Sequence, residues 1–144
     1  MGQALIRAAL LTAMAMTFTL AAPAWAQNAY PTVDILSTGK TIADEDIKYP
    51  TTGPAHITAS IVTIMPGAET ILHQHGTPMF AYIQEGVVTV DYGTKGKQTY
   101  KPGDAFMEAM AVTHRGMNLG TVPVKILAVY MGAAGSNNVV LDKK

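Results

Sequence analysis

Along residues 53–131 the apolar positions fall in short runs of four to ten, separated by glycine and proline, and no window of eleven or more shows a helical period. His56–Met65 is rich in β-branched residues and stops at Pro66-Gly67, which reads as a strand followed by a tight turn. Phe80–Ile83 and Val87–Tyr92 flank Glu85-Gly86, and Gly93–Lys97 is a second turn leading into Gln98–Lys101. Pro102-Gly103 turns into Ala105–Glu108, and Thr113–Asn118 and Val122–Met131 complete the β-type runs. Short strands at this spacing predict an all-β sandwich or barrel rather than a parallel α/β sheet.

The flanks differ in character. Residues 27–52 are polar and punctuated by Pro31, Gly39 and Pro50, which predicts an N-terminal arm with at most one strand. Residues 132–144 form a small, polar tail in which Val139-Val140-Leu141 can add an edge strand or cover an opening. Residues 1–26 read as a signal peptide: Arg7 supplies the positive charge, Ala8–Leu20 the apolar run, and Ala24 and Ala26 the small residues of an A-x-A cleavage site. The alternative is a membrane anchor, but the run is short of the roughly 20 apolar residues that span a bilayer. Cleavage after Ala26 leaves a periplasmic or secreted chain beginning at Gln27, with no stable membrane span.

Composition narrows the chemistry. Ten Lys and Arg balance ten Asp and Glu, so no overall charge draws the molecule to nucleic acid, and a small-molecule partner is expected. There is no cysteine, so disulfides, thiolate nucleophiles and Cys-type zinc sites are excluded, and any metal must use His, carboxylate or water.

Three of the four histidines stand where strands can bring them together. His73 and His75 are two residues apart, so on an extended strand both imidazoles project from one face. His114 opens another β-type run that can lie beside the first in an antiparallel barrel. Three imidazoles can bind Fe, Mn, Ni, Cu or Zn and leave positions open, whereas the pair alone also fits a solvated strand face. His56 fits a hydrogen-bonded structural residue better than a cavity-lining one, and Glu69 a solvated turn better than a pocket rim. Asp104 suits a turn and Arg115 a solvated face. Met65, Met79, Met107, Met110, Met117 and Met131 form no compact pattern and read as core packing ahead of a copper site.

The wider pattern resembles the cupins. Gly67-x5-His73-x-His75-x3-Met79-x6-Gly86 follows their first motif, and Gly103-x5-Ala109-x-Ala111-x2-His114-x3-Asn118 follows the second. Phe80-Ala-Tyr82-Ile-Gln84-Glu85-Gly86 is similar to the corresponding stretch of small exported single-domain cupins. The resemblance implies a double-stranded β-helix, or jelly-roll, barrel over residues 53–131. It also implies a divalent metal held by His73, His75 and His114, and a structural place for Asn118.

Two departures change the expected site. Met79 stands where the family usually supplies a glutamate ligand, and Ala109 and Ala111 replace the usual Pro and Gly before His114. Glu108 is the candidate that compensates. On Asp104–Glu108 it shares a face with Phe106, and in cupins that face points into the barrel, so it can complete the metal shell, act as catalytic base or bond a ligating imidazole. The competing reading is an exposed charge at a strand end.

The resemblance to cupin dioxygenases with three-histidine sites implies an oxidoreductase acting on a small organic substrate. A non-redox metal implies lyase, isomerase or hydrolytic chemistry, and a non-catalytic metal- or ligand-binding protein is the alternative. Small cupins commonly pair through edge strands and arms, so a homodimer is expected.

Overall fold

The computed structural model describes residues 30–142, so the predicted signal peptide lies outside the described residues. Residues 30–33 belong to a separate N-terminal unit and form neither helix nor strand. From Asp34 onward one unit carries nine strands. They are β1 (Ala55–Ile64), β2 (His73–Gln74), β3 (Met79–Glu85), β4 (Val88–Asp91), β5 (Lys97–Tyr100), β6 (Ala105–Met107), β7 (Arg115–Met117), β8 (Val124–Ala133) and β9 (Val140–Leu141). A single 3-10 turn at Gly93–Lys95 is the one helical element among the described residues, and no helix there is long and apolar enough to cross a membrane.

All pairings are antiparallel and form three sheets, ordered β1-β8-β3-β6, β5-β4-β7 and β2-β9. This is the expected all-β jelly roll, wound around an interior to which every sheet contributes. Alternation along the strands sorts the faces. Val62 and Ile64 on β1, Met79 and Ala81 on β3, Ile126, Ala128 and Tyr130 on β8, and Val88 and Val90 on β4 turn inward to line a cavity. Ile83 and Val124 are fully buried outside this lining, each contributing about 1.5–3 kcal/mol of transfer free energy.

The outer face of the large sheet is also apolar. Ile57, Ala59 and Ile61 on β1 register with Met131, Val129 and Leu127 on β8, with Phe80 and Tyr82 of β3 beyond. Ile57 and Ile61 remain more than half exposed, and β1 is the terminal strand of its sheet.

Two local features hold the barrel ends. Gly86 has φ +70° in the β3–β4 turn, and a Cβ there would sit 2.6 Å from the Pro123 carbonyl oxygen, so no side chain fits. Asn118 is buried and fully bonded: its Nδ2 donates to the carbonyls of Ile64 and Val122 at 2.8 Å, and its Oδ1 accepts from Gly120 N at 3.0 Å. That ties the end of β1 to the loop before β8, the structural place that the motif implied.

The arm departs from a strand. It makes one bridge, Lys40 with Asp46, around a turn closed by Thr41 N to Glu45 O at 2.9 Å, with Asp44 in the left-handed region at φ 64°. Ile42 N donates to Met107 O at 2.8 Å and anchors this turn to β6.

Candidate metal centre

His73 and His114 form an antiparallel bridge, with backbone bonds of 3.0 Å and 2.9 Å running both ways, so their side chains share one face. His75, two residues on, projects from the same side, and its N–H donates to Met110 O at 3.1 Å. Ring centroids of the three imidazoles lie 4.6 to 5.1 Å apart, and one nitrogen from each falls within 4.8 Å of the others. The i, i+2 pair and the distant third histidine are therefore brought together as the spacing anticipated.

The tautomers follow from the hydrogen bonds. His73 Nδ1 bonds the Ile71 carbonyl at 2.8 Å, His75 Nδ1 that of Asn138 at 3.0 Å, and His114 Nδ1 that of Val112 at 2.8 Å. A carbonyl only accepts, so each Nδ1 carries the proton and each Nε2 keeps a free lone pair. Burial lowers the pKa of all three, His75 to about 4, which keeps the rings neutral. Three neutral imidazoles, each fixed through the far nitrogen, form a donor set that fits a divalent transition metal.

Glu108 is buried at 4% exposure, which removes the reading of an exposed strand-end charge. Its N–H donates to Met79 O at 2.9 Å, so the carboxylate stems from the strand beside the position where the motif lost its glutamate. Oε1 accepts from Tyr92 OH at 2.8 Å and from Ala109 N at 2.7 Å, and Oε2 lies 3.8 Å from His114 Nε2. Burial raises its pKa to about 7, against the opposing pull of the Ala109 amide and the Tyr92 hydroxyl. Glu108 thus stands beside the histidine trio, outside the group of three whose ligand atoms lie within 4.8 Å of one another, and is able to hold or release a proton near neutrality. Met79 is buried in the same lining and adds a thioether, a poor donor for hard ions.

The cavity measures about 250 Å³, slightly below the ≈300–1,000 Å³ typical of drug-sized ligand sites. Aliphatic side chains and Phe106 dominate its lining, which includes the three histidines, Glu108, Thr70 and Tyr130 but no Lys or Arg. Phe106 is backed by Tyr100, stacked at 3.8 Å.

The tail closes one side. Val139 lines the cavity, β9 pairs with β2 by registering Leu141 with His73, and the Asn138 carbonyl holds His75. Gly76 is required there, because a Cβ would collide with the carbonyl oxygen of Asn137.

Other candidates fall outside the lining. His56 is exposed, and Glu69 is exposed and pairs with Arg115 at 2.8 Å. Arg115 also faces Asp91 at 3.7 Å, while Asp104 closes its turn by accepting from Lys101 N at 2.8 Å. Tyr92, Asn138 and Glu45 were missed by sequence reasoning, since nothing in their neighbourhoods marks them.

The family of cupin domains matches residues 60–130. No curated protein matches the sequence. Among solved structures, the polyketide cyclase RemF of Streptomyces resistomycificus is 17% identical with a TM-score of 0.54, over 70% of each chain. The DMSP lyase DddQ of Ruegeria pomeroyi DSS-3 is 20% identical with a TM-score of 0.52, over 59% of this chain and 42% of that one. A sugar phosphate isomerase of the cupin superfamily from Silicibacter pomeroyi is 24% identical with a TM-score of 0.47, over 52% of this chain and 50% of that one. This chain thus spans half or less of the lyase and isomerase chains, and the first two likenesses speak to architecture alone. Motif spacing, barrel winding and the match over residues 60–130 agree, and the chain belongs to the cupin superfamily.

Proposed function

We propose that this cupin is a metal-dependent oxidoreductase of dioxygenase-like type, acting on a compact and largely apolar organic molecule that carries one acidic O–H or S–H group. The observation that carries this reading is Glu108, buried in the cavity wall 3.8 Å from His114 Nε2. When bound at the three histidines, a redox-active ion would supply electron transfer and polarise a coordinated oxygen or sulfur. The chain's own residues do the rest. The apolar walls select by shape and exclude water, and the lack of Lys or Arg in the lining disfavours substrates with several negative charges. Glu108 takes the proton of the acidic group, held in position by Tyr92 OH and Ala109 N.

A second reading shares the same machinery. A carboxyl group whose pKa is raised to about 7 by burial suits reversible proton transfer, which favours lyase or isomerase chemistry with a non-redox ion. Oxygen uptake tests both. With Fe, Mn, Ni or Cu loaded, one of a panel of phenols, thiols and diketones is expected to consume oxygen, and Glu108→Gln to slow turnover about 100-fold or more. Conversion of substrate without oxygen uptake would move the assignment to the lyase or isomerase reading. Stoichiometric metal without turnover or any spectral change on adding ligand would support a binding protein.

The same protein is proposed to be exported and to form a homodimer. The charge, apolar run and cleavage-like residues of 1–26 support export, and the terminal strand β1 with its exposed Ile57 and Ile61 supports pairing. Native mass spectrometry of the protein recovered from the extracytoplasmic fraction should give twice the mass of a chain starting at Gln27. Absence of the protein from that fraction would refute export, and a monomer mass would refute pairing.

A further inference from the structure

We infer that Glu45, on the arm before the barrel, is a positioning residue for the metal centre, its carboxylate clamping the 109–113 loop that holds His75 and His114. The inference rests on the three-histidine reading.

The loop sequence Ala109-Met110-Ala111-Val112-Thr113 contains neither proline nor glycine, so nothing in its own covalent structure restricts it to one path. Yet its inner side supports much of the site. Met110 O accepts from His75 N at 3.1 Å, Ala111 O accepts from Gln74 Nε2, and Val112 O fixes the tautomer of His114 at 2.8 Å. A shift of this loop moves two of the three imidazoles together.

Its outer side is held by one group. Glu45 Oε2 accepts from Met110 N at 2.7 Å and Oε1 from Ala111 N at 2.8 Å, so a single carboxylate bridges two consecutive amides. The second of these amides belongs to the peptide unit whose carbonyl holds His75 N. That unit is pinned at both ends, and the negative charge on its N–H side strengthens its carbonyl as an acceptor.

Glu45 is itself fixed. Thr41 Oγ1 donates to Oε2 at 2.9 Å, and the arm turn that carries both residues is anchored by Ile42 N to Met107 O. The arm therefore grips the chain on both sides of Glu108, at Met107 and at Met110-Ala111. Burial raises the Glu45 pKa, but the amides of Met110 and Ala111, the Thr41 hydroxyl and Lys95 outweigh it, so the group stays ionised at neutral pH.

Co2+ titration of the full-length protein, read by its visible spectrum and by competition with a chelator, tests the assignment. Glu45→Gln keeps the shape but removes the charge, and is expected to weaken Co2+ binding about tenfold, the lower end of the 10–100-fold seen for residues that support ligands. Glu45→Asp keeps the charge but is too short to reach both amides, and should fall between, which preserves the test if the glutamine variant folds poorly. Val124→Ala, a core truncation outside the cavity lining, should lower stability with affinity unchanged. Metal-free Glu45→Gln should also exchange the His75 amide hydrogen about tenfold faster than wild type. Wild-type affinity and His75 exchange in a destabilised Glu45→Gln would leave Glu45 as a staple only and overturn the inference. Failure of the wild type to bind Co2+ would instead remove the three-histidine reading, and the inference with it.

Discussion

Replacing His75 with alanine is expected to lower affinity for a divalent ion such as Co2+ by a hundredfold or more, and replacing His73 or His114 should do the same. Structural sites of four ligands bind zinc with about 10–16 kcal/mol, so one ligand is worth on the order of 3 kcal/mol, or roughly 10²–10³ in affinity. The three losses should be similar, because each imidazole is neutral, held through Nδ1 and open at Nε2. Exposed His56 is the internal control, and its replacement should change nothing. Chelator competition gives the affinities. Binding within threefold of wild type after any one of the three replacements would place the metal elsewhere.

Glu108→Gln in the metal-free protein should raise stability at pH 8 by about 3 kcal/mol and leave it nearly unchanged near pH 4. The sign follows from linkage. Burial raises the folded pKa of Glu108 from 4.5 to about 7, so between those values the folded chain holds a proton that the unfolded chain has released. Stability from this group therefore falls as pH rises from about 4.5 to 7, by about 1.4 kcal/mol for each pH unit crossed. The buried histidines act oppositely: their lowered pKa values make the folded state lose stability as pH falls below 6.5. Their contribution cancels to first order when the two proteins are compared at each pH. Glutamine retains an oxygen for Tyr92 OH and Ala109 N, which isolates the effect of charge. Denaturant midpoints across pH 4–8 read the difference, and a flat difference curve would mean that Glu108 is ionised without cost.

The fold and the histidine trio were legible because their determinants are local. A period of two sets which side chains share a face, Pro66-Gly67 and Gly86 fix where strands turn, and His73-x-His75 needs only an extended backbone. The third histidine was placed by motif spacing, and a direct pairing of His73, at the start of β2, with His114, immediately before β7, delivers it. The partners of these residues could not be read in the same way. Glu45 lies 65 and 66 residues from the amides it binds, and Asn138 lies 63 from His75. Such bonds depend on how the arm and tail fold back, and neither segment carries a periodic signal. The arm was the harder of the two, since its one bridge encloses Asp44 in the left-handed region, which non-glycine residues adopt only uncommonly even though aspartate is among those that do. Glu108 lay between these cases. Strand alternation assigned it a face and chemistry a set of roles, but its burial, its distance to His114 and its bonds to Tyr92 and Ala109 depend on neighbours that only the folded chain brings to it.

The Asn138 carbonyl that orients His75 divides the support of the trio unequally. His73 and His114 are held through Nδ1 by Ile71 and Val112, each only two residues away in the chain, so their orientation comes with their own loops. His75 instead depends on a segment that folds back after β8, the same segment whose Val139 supplies one wall of the cavity. Docking of β9 on β2 is therefore the latch of the site: undocking it would leave two imidazoles oriented, the third without its Nδ1 partner and the cavity open on that side.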